Sequence, residues 1–151
     1  MTISVHASES VKSGAKHVEA IPLNGYIGAE IRGVDLRKDL TEEEFNAVHE
    51  AFVKYEVIVL RNQNITLDQQ IAFAERFGKL TIHPFAPKSE GGRREVIHFD
   101  HNEANPPALT DCWHSDETFR ECPPMATMLR CLVAPASCGD TLFIIITAAY
   151  R

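Results

Sequence analysis

Two Thr-x-x-Glu/Gln signatures bracket one short apolar run, and that arrangement restricts about residues 42–77 of this 151-residue chain to helix, strand, helix. In Thr41-Glu-Glu-Glu44 the hydroxyl and the carboxylate three residues on can each satisfy a backbone N–H orphaned at a helix start. Phe45, Val48, Phe52 and Tyr55 then recur near one helical face, which predicts a helix over about 42–54. Glu56-Val-Ile-Val-Leu-Arg61 is rich in β-branched residues and bounded by charge and by Asn62, the pattern of a buried strand. Thr66 and Gln69 repeat the box, Leu67, Ile71, Ala74 and Phe77 keep helical spacing, and Gly78 supplies an αL stop. A second helix is therefore expected over about 67–77. Upstream, His17–Asp35 alternates short apolar groups with Gly25, Gly28 and Gly33, which predicts two brief strands joined by tight turns.

Residues 1–16 carry four serines and no sustained periodicity, and read as a flexible leader. After Gly78 the helical pattern ceases. Pro84 biases His83 toward an extended conformation. Glu95–Asp100, Met125–Val133 and Asp140–Ile146 have strand character, while Asn102–Pro107 and Ala134–Gly139 read as loop and turn. Composition narrows the function classes. With 44% hydrophobic and 24% charged residues the chain is globular in type. A net charge of -6 and the absence of a Lys/Arg run argue against general nucleic-acid binding, which needs a basic face. No apolar stretch approaches the roughly 20 residues needed to cross a bilayer, so no membrane role and a cytoplasmic location are expected. Cys112, Cys122, Cys131 and Cys138 form no C-x-x-C pair, and reduced thiols are the expectation.

The chemistry-bearing stretch is Cys112-Trp-His-Ser-Asp116, followed by Glu117-Thr-Phe119. In an extended segment residues two apart project to one side, so the imidazole of His114 and the carboxylate of Asp116 can converge. One imidazole and one carboxylate, with positions left for exogenous ligands, fit two-thirds of the 2-His-1-carboxylate arrangement that holds non-haem Fe(II). Spacing alone leaves open a turn Asp beside a surface His. His98 and His101 are candidates for a third ligand. A structural zinc site using Cys112, His114, Cys122, Cys131 or Cys138, and a non-catalytic binding or assembly domain, are the rival readings. Arg61, Arg76, Arg130 and Arg151 read as solvated charges.

Several ordered blocks resemble the taurine and aryloxyacid group of Fe(II)/2-oxoglutarate-dependent dioxygenases. They are Leu23–Leu36, Val57–Gln63, Phe73–Leu80 with Ile82-His-Pro84, Asn105-Pro-Pro107, Trp113-His-Ser-Asp116, Thr118-Phe119, Pro123-Pro124 and Gly139-Asp-Thr-Leu142. The resemblance implies a mixed α+β fold, mainly β: a double-stranded β-helix, or jelly roll, with flanking helices, of which residues 17–151 would be the N-terminal part. It implies Fe(II), 2-oxoglutarate and O2 as cofactor and co-substrates, release of succinate and CO2, hydroxylation of a small organic anion, and a homo-oligomer. By matching positions, His114 and Asp116 would ligate iron, Thr141 would hold a 2-oxoglutarate carboxylate, and His83, Phe119 and Thr110 would face substrate. Trp113 would wall the pocket or pack in the core. Members that oxidise taurine carry an aromatic residue where this chain has Ala86 and an amide where it has Thr110, so a taurine-shaped pocket is not expected. The family's distal metal histidine and its 2-oxoglutarate arginine fall downstream of the Gly-Asp-Thr segment. Ile144-Ile-Ile-Thr147 also departs from the family's more polar run.

Overall fold

The computed structural model describes residues 17–84, 93–100, 112–134, 136–137 and 140–146. The expected leader and the positions of Ala86, His101, Thr110, Cys138 and Arg151 lie outside them. The chain divides into two compact units, one formed by Met1–Phe73 with Cys131–Arg151 and the other by Ala74–Arg130.

The first unit is a three-stranded sheet with a helix on it. Strands β1 (Glu19–Pro22) and β2 (Ala29–Arg32) pair antiparallel with Ala20 opposite Ile31, and β3 (Ile58–Val59) joins β2 in parallel. The β1–β2 connection closes on itself: the Asn24 side chain accepts from the N–H groups of Tyr26 and Ile27, and Leu23 N–H donates to the Gly28 carbonyl at 2.9 Å. Alternation puts Ala20, Ala29 and Ile31 into the core. Helix α1 (Glu42–Tyr55) lies against all three strands and buries Phe45, Ala47, Val48, Ala51 and Tyr55. Complete burial of a side chain such as Val48 contributes about 1.5–3 kcal/mol.

Both helix starts follow from local chemistry. Thr41 Oγ1 accepts from Glu44 N–H, and Glu44 returns the bond to Thr41 N–H at 2.9 Å. Thr41→Ala is expected to lower stability by about 1 kcal/mol, read from the urea midpoint, and Thr41→Ser to restore most of it. Helix α2 (Leu67–Glu75) opens with the equivalent exchange between Thr66 and Gln69. It ends two residues earlier than expected. Gly78 has positive φ at 143°, outside the αL range, and two i→i+3 bonds close the turn before it.

Side-chain amides stitch the loops to this frame. Leu36 N–H donates to Gln63 Oε1 while Gln63 Nε2 donates to the carbonyls of Val34 and Arg61, and Gln69 Nε2 donates to the Arg37 carbonyl. Arg61 is not simply solvated: Arg32 donates to Glu30 at 2.7 Å and Arg61 does so at 3.0 Å, which together hold the Glu30 carboxyl below its usual range. Arg37, bonded to Asp35 through both carboxylate oxygens, lowers that group to about 2.

Three expected strands are absent from the described residues. Glu95–Asp100, the Met125–Val133 run and Asp140–Ile146 have no ladder, and Leu129, Leu132, Val133 and Leu142 are largely exposed. The mixed α/β character stands, but "mainly β" does not describe these residues, in which α1 and α2 are longer than any strand. A strand needs a hydrogen-bonding neighbour, and β-branched composition marks only a surface suited to one. Among the described residues no helix is long and apolar enough to cross a membrane.

Candidate metal centre

The Ala74–Arg130 unit presents its chemistry on a turn. Asp116 to Phe119 reverse direction with Glu117 at φ 50°, and Arg120 N–H closes onto the Glu117 carbonyl at 3.1 Å. The Arg120 guanidinium pairs with the Glu117 carboxylate and donates through Nη2 to the Ile82 carbonyl at 2.9 Å. One cation thus ties the segment carrying His83 to the turn carrying Asp116. The His83 and Phe119 rings meet edge to face with centroids 6.1 Å apart, and the Arg120 guanidinium lies 5.7 Å from the Phe119 centroid.

Ahead of the turn, His114 Nε2 lies 3.5 Å from Asp116 Oδ1. This gap exceeds the 2.7–2.9 Å typical of a charge-assisted hydrogen bond. Two donors each about 2.1 Å from a shared cation stand about 3.0–3.5 Å apart for ligand angles between square and tetrahedral. The separation therefore suits two ligands of one ion. His114 Nδ1 lies 3.0 Å from the Cys112 carbonyl. A carbonyl only accepts, so that contact needs the proton on Nδ1 and leaves Nε2 of a neutral ring with its lone pair on the Asp116 side. A second hydrogen bond to the ring is the usual way a metal-binding histidine is oriented. Asp116 Oδ2 is also engaged, accepting from Thr127 Oγ1 at 2.7 Å. Both side chains are at least half exposed, open to exogenous ligands.

His83 and Phe119 are brought together, and Phe119 lies on the turn that begins at Asp116. Trp113 is 62% exposed, so core packing is not its role here. Thr141 is exposed and belongs to the other unit, and Thr110 lies outside the described residues. Among the described residues no group of three or more His, Cys, Asp or Glu side chains converges, so neither His98 nor Cys112, Cys122 and Cys131 build a closed site around His114. Thr127 and Arg120 were not singled out in the sequence. Thr127 reads there as one β-branched residue of a strand-like run, and Arg120 as one charge among many.

Residues 19–151 match the family described as taurine catabolism dioxygenase TauD, TfdA. An alpha-ketoglutarate-dependent sulfate ester dioxygenase of Pseudomonas putida is 39% identical over 138 residues, covering 91% of this chain and 44% of the relative. An alkylsulfatase of Acinetobacter baylyi is 30% identical over 142 residues, covering 93% and 44%. An alpha-ketoglutarate-dependent 2,4-dichlorophenoxyacetate dioxygenase of Cupriavidus pinatubonensis is 31% identical over 150 residues, covering 88% and 52%. The chain thus spans about half the length of the curated relatives it matches.

Proposed function

The chain belongs to the taurine catabolism dioxygenase TauD, TfdA family, and from that premise we propose that the complete protein is a non-haem Fe(II)- and 2-oxoglutarate-dependent dioxygenase. Its substrate is a small organic anion that it hydroxylates, with release of succinate and CO2. The observation that carries the proposal is the 3.5 Å approach of His114 Nε2 to Asp116 Oδ1, each donor oriented by a second hydrogen bond. A neutral nitrogen and an anionic oxygen are a donor set suited to Fe(II), so the residues present fit the metal the family implies. When bound, iron with 2-oxoglutarate supplies the oxidising power that a polypeptide lacks.

The side chains have definable tasks. His114 and Asp116 hold the cation, and Thr141 accepts the role of hydrogen-bonding a 2-oxoglutarate carboxylate. His83, packed edge to face with Phe119, offers an N–H to the substrate's anionic head group, while Phe119 and Thr110 contribute to the pocket wall. The relatives named for sulfate esters and aryloxyacids favour a sulfate, sulfonate or carboxylate head. Ala86 and Thr110 make taurine a poor fit, because a buried polar group without its partner costs roughly 1–3 kcal/mol. Residues 17–151 form part of one jelly-roll domain in this reading, and the apolar runs at Met125–Val133 and Asp140–Ile146 find their ladder partners there. A cytoplasmic homo-oligomer completes the proposal.

The test is anaerobic addition of Fe(II) and 2-oxoglutarate to the complete protein. A visible charge-transfer band that needs both additions is expected, and a spectrum without it rejects the assignment.

A further inference from the structure

Of the two groups that orient the metal pair, one is backbone and one is a side chain. The Cys112 carbonyl faces His114 whatever residue stands at 112, whereas the bond to Asp116 Oδ2 is made by the hydroxyl of Thr127, eleven positions downstream, at 2.7 Å. A carboxylate meets a cation through one oxygen or through both, and the second mode takes up a position that an exogenous ligand would otherwise use. Rotating Asp116 to present both oxygens would shift Oδ2 from the place where Thr127 holds it. Both residues are exposed, so without that hydroxyl water would bind Oδ2 and the carboxylate plane would lose its fixed orientation. The arrangement also distinguishes the oxygens: Oδ2 carries the bond from Thr127, and Oδ1 is the one turned toward His114 Nε2.

We propose that Thr127 is a positioning residue for the metal, holding Asp116 so that Oδ1 alone meets the cation beside His114 Nε2. The inference rests on the reading of His114 and Asp116 as metal ligands. It separates Thr127 from a surface threonine that merely tethers a turn, because a tether affects stability while a ligand-orienting group affects affinity for the ion. The loss of an outer partner of a metal ligand typically costs 10–100-fold in metal affinity.

Mn(II) titration of the complete protein, read as free Mn(II) by electron paramagnetic resonance, distinguishes these. Thr127→Val keeps the branched shape and removes the hydroxyl, and weaker binding by about 10–100-fold is expected. Thr127→Ser retains the donor and should bind within a few-fold of the wild type. Thr127→Ala serves in place of valine if that variant does not fold. Mn(II) affinity of Thr127→Val equal to wild type, with His114→Ala having lost it, overturns the role of Thr127 and leaves the ligand pair standing. Retention of Mn(II) affinity by His114→Ala as well overturns both.

Discussion

Alanine at position 114 is expected to weaken Fe(II) binding by the complete protein beyond the roughly 100-fold that loss of an outer-shell partner costs, and to remove Fe(II)-dependent release of succinate with it. In the proposed centre the imidazole is one half of a two-atom grip, and Asp116 Oδ1 alone would not fix an ion's direction. Asp116→Asn is expected to fail for a different reason. It keeps the shape but removes the charge that offsets that of the cation, and its amide nitrogen has no lone pair to offer. Neither change should unfold the protein, since both side chains are at least half exposed and surface substitutions usually stay within about 0.5 kcal/mol. Metal analysis after desalting, succinate release and thermal melts run together make the check. A His114→Ala protein that keeps tightly held iron and turns over 2-oxoglutarate would remove this residue from the centre.

How much of this was legible in the sequence depended on how far away each cause lies. The capping boxes at Thr41 and Thr66 are four-residue events, and α1 and α2 begin where those residues say. The strand expected over Glu56–Arg61 shrinks to Ile58–Val59 because Glu56, at φ 63°, turns the chain out of α1 and only Ala29 and Glu30 of β2 lie alongside. Arg61 reads as a solvated charge in the sequence since its partner, Glu30, is 31 residues away and is brought near only by the parallel pairing of β2 with β3. The proposed metal pair shows the same division. The spacing of His114 and Asp116 is visible in five letters, whereas most of what orients them and ties their turn down is not. Thr127 is eleven residues from Asp116, Ile82 is 38 from Arg120, and the Cys112 contact uses a carbonyl that no residue name discloses.

Gly33→Ala is expected to be the most damaging small substitution in the sheet unit, lowering stability on the order of 3–5 kcal/mol, in the range reserved for strain and backbone displacement. Gly33 follows β2 with φ 83°, a conformation L residues rarely adopt, and a Cβ there would stand 1.6 Å from the His17 carbonyl oxygen and 2.6 Å from its carbon. These are backbone atoms just ahead of β1, so no rotamer change relieves the overlap and the strand entry itself must move. Two neighbours separate the causes. At Gly28, φ is 88° but the nearest atom to a Cβ would be a Leu23 methyl at 3.6 Å, an ordinary contact, so Gly28→Ala carries conformational strain alone, about 1–2 kcal/mol. At Gly25 nothing lies within 4 Å, and alanine there should change stability by less than about 0.5 kcal/mol. Urea denaturation of the three variants should therefore rank them Gly25, Gly28, Gly33 in order of increasing loss. If Gly33→Ala loses no more than Gly28→Ala, the close approach of β2's end to His17 does not limit what can stand at 33, and positive φ alone accounts for the glycine.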